Sequence, residues 1–192
     1  YMLLSGAVQL EGIATTSLII GFMPVAVTII GSRDHGAVPL HRLWPSLILC
    51  AAGALCIGWQ ALAAPVGDIT VRAGGFLCAI GALTAWTCFA VGNARWLVRL
   101  DAISVHDWNL LTGLMTGAQA CLLIPVALAI GLGDHTPALW GKFIAVSLGV
   151  AVLASIVGNA LWNRMSRLLP LTLVGQMILF ETLFALLYGF WW

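Results

Sequence analysis

Charge is scarce in this chain: 8% of its residues are Asp, Glu, Lys or Arg, against about 25% in an ordinary soluble domain. Hydrophobic residues make up 61%, more than a soluble fold of this length could cover. With a formal net charge of +1 and no basic stripe, the chain has no electrostatic footprint for nucleic acid. The five cysteines, Cys50, Cys56, Cys78, Cys88 and Cys121, all lie inside apolar stretches, with no close Cys/His ligand set. That pattern speaks against a zinc site or a disulfide framework; the thiols read as small apolar helix residues. His35, His41, His106 and His135 lie in loops or near span ends and read as solvated. There is no Gly-x-x-x-x-Gly-Lys-Ser/Thr loop and no Gly-x-Ser-x-Gly elbow, which excludes P-loop nucleotide hydrolysis and the familiar serine-hydrolase turn. An enzyme is not expected, and no cofactor or metal is implied.

What the chain does have is long apolar runs. Six are long enough to cross a bilayer as helices, each needing roughly 20 residues: about 13–31, 43–64, 73–94, 109–132, 143–163 and 170–192. Residues 1–10 read as the outer end of one more helix. The chain opens on Tyr1 in the middle of an apolar run and stops at Trp192 where a helix should meet an interface, so it reads as part of a longer membrane protein. Turn chemistry separates the spans: Gly31 to Gly36, Ala64-Pro65-Val66-Gly67-Asp68, and Gly131 to Pro137. Ser104-x-x-Asp107 has capping-box spacing ahead of the fourth span.

The eight basic residues fall on alternate sides. Arg33, Arg42, Arg95, Arg99, Arg164 and Arg167 occupy one set of gaps; Arg72 and Lys142 occupy the other. Six against two is the cytoplasmic bias that orients polytopic membrane proteins. Loops 32–42, 95–107 and 164–169 are therefore expected to be cytoplasmic, in a multi-pass protein of a cell membrane, with a bacterial inner membrane the expected one. Trp44, Trp96, Trp108, Trp140, Trp191 and Trp192 cluster at span ends, as an interfacial belt does; Trp59, Trp86 and Trp162 lie deeper.

Sliding the chain on itself by 158 positions sets Met23–Gly31 on Glu181–Gly189, and Tyr1–Gly12 on Asn159–Pro170 without a gap. Identities are few, but the aligned spans are five helices apart. Five is odd, so the second copy lies upside down. Inverted-topology repeats are a common secondary-transporter architecture, with the substrate site near the midplane.

These patterns resemble the drug/metabolite transporter superfamily in its ten-helix form built from two EamA-type repeats. Thr15 to Val25, with its mid-membrane Pro24, is similar to the family's fourth helix. Gly74 to Arg95, around Ala85-Trp86, is similar to the sixth. Gly158-Asn159-Ala160-Leu161-Trp162-Asn163-Arg164, followed by Leu169-Pro170-Leu171, resembles the junction of helices eight and nine. Glu181-Thr182-Leu183-Phe184 resembles the Glu-Pro-hydrophobic-Phe stretch of helix nine, with Thr182 in place of the proline. The resemblance implies an all-α polytopic membrane helix bundle of two inverted five-helix repeats. Residues 1–70 would be the C-terminal part of the first repeat, and 71–192 the second repeat without its last helix. It also implies transport by alternating access, usually outward, of small organic metabolites, amino acids or drugs. The expected partners are thus a small-molecule substrate and the lipid bilayer; the oligomeric state is not read from the sequence.

Five residues are candidates for substrate binding or coupling. Glu181 lies near the middle of the last span, where a carboxylate costs about 2.5–3.5 kcal/mol on insertion scales. It must face a cavity, find a partner, or be protonated. Asn159 and Trp162, three apart, share one helical face; they line a cavity or bond a neighbouring helix. Trp86, beside Thr84, Thr87 and Asn93, either packs or lines the pathway, with Asn93 expected to cap its helix. Gln176 is not on one stripe with Glu181, five residues on, but can still reach the cavity. Pro24 removes one backbone hydrogen bond and is the candidate hinge. Asn163 reads as interfacial, Gln119 as an interhelical contact, and Gly53/Gly58 and Gly113/Gly117 as close-packing pairs. Two other classes compete: a membrane-embedded lipid-modifying enzyme, and a membrane scaffold that transports nothing, in which the polar residues would all be mutually paired.

Overall fold

The computed structural model describes residues 1–63, 68–129 and 136–191. The turns expected at 64–67 and 131–135, His135 and Trp192 lie outside the described residues. Every described element is helical: α1 (Met2–Glu11), α2 (Ile13–Ile20), α3 (Met23–Gly31), α4 (Leu40–Ala63), α5 (Ile69–Arg99), α6 (Val105–Ala129), α7 (Pro137–Val150), α8 (Asn159–Leu168) and α9 (Leu171–Trp191). Between α7 and α8, residues Ala151–Gly158 form a π-helical segment, so Pro137–Leu168 is one continuous span. Four stretches are long and apolar enough to cross a membrane: Ile13–Gly31, Ile69–Arg99, Val105–Ala129 and Pro137–Leu168. In lipid no water satisfies an open backbone, so apolar runs of this length fold as helices wherever they fall. The chain is an all-α membrane helix bundle.

Two compact units form, and they do not follow chain order. Residues 1–95 and 169–192 make the first unit; residues 96–168 make the second. The first unit thus combines the expected end of the first repeat with α5 and α9. Its core holds Ala7, Ile19 and Ala79, with Cys78 and Leu83 packed against them.

Glycine sets how closely its helices approach. Gly12, with φ of 91°, ends α1 and reverses the chain into α2, a backbone angle that L side chains rarely adopt. A Cβ on Gly75 would stand 2.7 Å from Glu11 Cβ and 2.9 Å from its backbone nitrogen, so α5 crosses α1 nearly backbone to backbone. Gly31 has the same relation to Leu171, at 2.9–3.0 Å. Among the described residues, a Cβ on Gly53, Gly113 or Gly117 would meet nothing within 4 Å. The close-packing role expected of those glycines is corrected: repeat spacing marks small residues, but the helix's rotation decides which of them meets a neighbour. Gln119, expected at an interhelical contact, is exposed on α6.

The second unit carries the capping box as expected. Asp107 N donates to Ser104 Oγ at 3.0 Å, and Ser104 Oγ donates to Asp107 Oδ2 at 2.6 Å. Arg167 Nη2 donates to Leu100 O at 3.2 Å and Ile103 O at 2.7 Å, holding the turn that leads into α6. Asn93 does not cap its helix, because α5 continues to Arg99; its side chain is buried inside that helix's run.

Candidate functional site

The span expected over 13–31 is broken at Gly21-Phe22, where Pro24 predicts a break. Pro24 has no N–H to give Ile20 O, and its ring disfavours a straight continuation. The chain responds by tightening: Phe22 N donates to Ile19 O at 3.2 Å, three residues back. The helix then restarts at Met23, so Pro24 occupies the first turn of α3, where its missing donor is harmless. Gly21 O accepts the thiol of Cys50, from α4, at 3.6 Å. Cys50 is therefore a donor to the broken backbone as well as an apolar filler.

Against this half-helix lies the first part of α9. A Cβ on Gly175 would be 3.0 Å from Pro24 O and 3.0 Å from Thr28 N, and would overlap Thr28 Oγ1. The bare glycine lets the side chains of Ser46, Gln176 and Thr28 connect in a line that ends on the backbone carbonyl of Thr172. Ser46 Oγ donates to Gln176 Oε1. Gln176 Nε2 donates to Thr28 Oγ1 at 3.1 Å, and Thr28 Oγ1 donates to Thr172 O at 3.4 Å. Thr172 Oγ1 in turn accepts from Val38 N, in the loop after α3, at 3.1 Å. Thr28 and Thr172 are fully buried and Gln176 nearly so. The network therefore joins α3, α4 and α9, beginning at the loop expected to be cytoplasmic and reaching one turn into α9.

Sequence reasoning named Pro24 and Gln176, and the structure brings their surroundings together. Glu181 lies five residues beyond Gln176, about 140° around the helix at 100° per residue, and is exposed. Trp86 is half-buried and meets Tyr1 edge-to-face, with ring centroids 5.8 Å apart. Near it, Thr84 bonds back to Ile80 O at 2.8 Å, whereas Thr87 Oγ1 is buried with no partner among the described residues.

Asn159 and Trp162, both half-buried, belong to the second unit. Asn159 Nδ2 donates to Asn109 Oδ1 at 2.7 Å, and Asn163 Nδ2 reaches the same oxygen at 3.4 Å. Asn163, expected near the interface, is fully buried: its place one turn after Asn159 puts it on the side facing α6. Asn109 Nδ2 donates to Ile156 O at 3.4 Å, inside the π-helical segment. Asn109 was not singled out from the sequence, since a lone Asn at a span start looks interfacial. Its signal is the pair Asn159/Asn163, four apart, which needs a common acceptor.

Sequence reasoning also missed two charged pairs in the first unit. Arg95 Nη2 and Nε donate to Asp34 Oδ1 and Oδ2 at 2.7 and 3.2 Å, a two-pronged pair left partly exposed. Glu11, the last residue of α1, stands 3.5 Å from Arg72 Nε with its side chain only 6% exposed. Among the described residues no group of three or more His, Cys, Asp or Glu comes together. The chemistry gathered at the α3–α9 contact is neutral hydrogen bonding, which can hold or release a helix or orient a polar solute.

Helices of this length and apolarity, joined by loops with alternating charge, define a multi-pass membrane protein. The chain is 32% identical over 210 residues to the Inner membrane protein YtfF of Escherichia coli (strain K12), a match covering 99% of this chain and 63% of that relative. It thus spans less than two thirds of the relative's length, and an inner-membrane, multi-pass location follows. No family model matches the chain, and no solved structure matches it.

Proposed function

We propose that this chain is the larger part of a secondary transporter of the drug/metabolite transporter superfamily, moving small organic metabolites, amino acids or drugs outward by alternating access. One observation carries the reading: a membrane span broken at Pro24, with its inner half held on α9 through the Ser46–Gln176–Thr28–Thr172 network. Discontinuous helices near the midplane are a recurrent device of transporter cores. The network's bonds exchange readily for others when helices rock, because no charge has to be left unpaired in lipid. The similarity to an inner membrane protein over nearly the whole chain agrees with this reading. Glu181, exposed on α9, and the half-buried Asn159, Trp162 and Trp86 are the remaining candidates for substrate contact.

The test is uptake of a pooled metabolite set by liposomes carrying the full-length protein, with and without a pH gradient. Wild type is compared with Gln176→Leu and Glu181→Gln. Uptake lost in folded Gln176→Leu places the network in the transport cycle. Uptake lost in Glu181→Gln makes that carboxylate a coupling or substrate group. A scaffold is the second reading, favoured by the mutual pairing of Gln176 with Thr28 and of Asn159 with Asn109. No uptake by well-folded wild type would support it.

A further inference from the structure

The loop after α3 ties three helices together on the six-positive face, and the proposed transport role leaves it unused. Residues 32–38 make a built turn. Asp34 N donates to Gly31 O at 3.0 Å, Ala37 N donates to Asp34 O at 3.2 Å, and Gly36, with φ of 78°, reverses the chain. From this turn one bond runs to α9, Val38 N donating to Thr172 Oγ1 at 3.1 Å. Two more join it to the far end of α5, where Arg95 Nε and Nη2 donate to the Asp34 carboxylate at 3.2 and 2.7 Å.

The two ties differ in kind. Towards α9 the loop continues a contact sealed by backbone: a Cβ on Gly31 would stand 3.0 Å from Leu171 C, and Thr28 and Thr172 are fully buried. Towards α5 the tie is an ion pair that water reaches, its side chains 42% and 32% exposed. Parting that pair hands both charges to water, whereas parting the buried groups strands them. The other end of α5 is pinned, since a Cβ on Gly75 would stand 2.9 Å from Glu11 N. Gly75 and Arg95 are about 30 Å apart along the helix. The helix is thus a lever, fixed at its start and latched at its end by a hydrated pair. Val91, one turn inward on the face that carries Arg95, is only 7% exposed. The face beneath the latch is closed to water.

From this arrangement we infer that loop 32–38 is a strap closing the six-positive end of the first unit, with Asp34–Arg95 as its latch. The end opens by α5 swinging away from α3 and α9, which stay together, and water enters along Val91. That the opening gives a solute its path rests on the transporter reading; the latch itself does not.

One thiol reads the opening. Full-length protein without native thiols, carrying Val91→Cys, is held in lipid nanodiscs and treated with a charged thiosulfonate, which modifies only a thiol that water reaches. The modification rate follows the open fraction. Asp34→Asn should raise it about 1.4- to 5-fold, the range that the coupling of an exposed ion pair allows. Arg95→Gln should do the same, and the exchanged pair Asp34→Arg/Arg95→Asp should return the rate to that of the parent. Ala94→Cys, at a second buried position beside the latch, takes over as reporter if Val91→Cys does not fold. A rate indifferent to Asp34 and Arg95 would overturn the inference, as would a reporter reacting as fast as a cysteine at exposed His35. In liposomes, Asp34→Cys/Arg95→Cys bridged by a short reducible bis-thiosulfonate should lose uptake of the pooled metabolite set and regain it on reduction. Undiminished uptake through the bridged protein would overturn the strap as a closure. Latch-dependent labelling in a protein whose wild type takes up no metabolite would leave the strap standing and remove the transporter reading.

Discussion

Replacing Gly175 with alanine tests the contact on which the reading of the α3–α9 pair depends. The added Cβ would lie 3.0 Å from Pro24 O and 3.0 Å from Thr28 N, both backbone atoms, and would overlap Thr28 Oγ1. The hydroxyl could rotate away, at the cost of its bond to Thr172 O and of its place under Gln176 Nε2. The backbone atoms cannot rotate, so α3 and α9 must separate by a few tenths of an ångström. Overpacking of this kind costs about 1–3 kcal/mol, and a lost internal hydrogen bond adds about 1 kcal/mol. Every 1.4 kcal/mol is about tenfold in an equilibrium constant. Gly113→Ala is the matched control, since among the described residues an added Cβ there meets nothing within 4 Å and alanine is the better helix former by roughly 0.5–1 kcal/mol. Thermal unfolding of the full-length protein in detergent, followed by loss of the monodisperse peak, should place Gly175→Ala clearly below wild type. Gly113→Ala should match or exceed it. Removing the hydroxyl as well, in Gly175→Ala/Thr28→Ala, should not restore stability, because the backbone overlaps remain. Equal stability of the two single variants would refute the close crossing and with it the seating of Gln176.

Asn109→Ala should destabilise by about 1–3 kcal/mol, since it strips the shared acceptor from Asn159 and Asn163; the same thermal assay reads it, and stability equal to wild type would refute the shared-acceptor role. Arg95→Ala should cost at most about 1 kcal/mol, because its pair with Asp34 is partly exposed and exposed pairs are worth little; a large loss would show that the pair does more than pin a loop. A single cysteine at Arg33, in a variant without native thiols, should react with a membrane-impermeant reagent only from the cytoplasmic side, and one at Asp68 only from the other. Reversed labelling would overturn the orientation read from the basic residues.

The physics of lipid made the helices legible in advance. Each span expected from the sequence is helical over its described residues, the first as two helices and the fifth through a π-helical segment, and the break at Pro24 falls within a few residues of the proline that causes it. The capping box at Ser104 is equally local, needing only residues three apart. Where sequence reasoning failed, the missing quantity was helix rotation. Asn93, Asn163 and the glycines at 53, 113 and 117 sat in patterns compatible with several roles. Only their facing neighbours could choose among them. The π-helical segment is a similar case, because its carbonyl at Ile156 is met by an asparagine 47 positions away.

By itself the sequence determined that this is a multi-pass membrane protein and where its helices lie, to within about five residues. These are transfer and insertion properties, additive along the chain and nearly independent of what packs against what. Tertiary structure decided which polar groups meet. Gln176 found Thr28 across 148 positions, while Glu181, a turn and a half further on, was left on the outside. Glu11 was buried because Gly75 let α5 close over it, not because of anything in its own neighbourhood. Apolar helices have no strong preference among partners in lipid. Close backbone approach and a few hydrogen bonds therefore choose the pairing, and both depend on residues far apart in the chain.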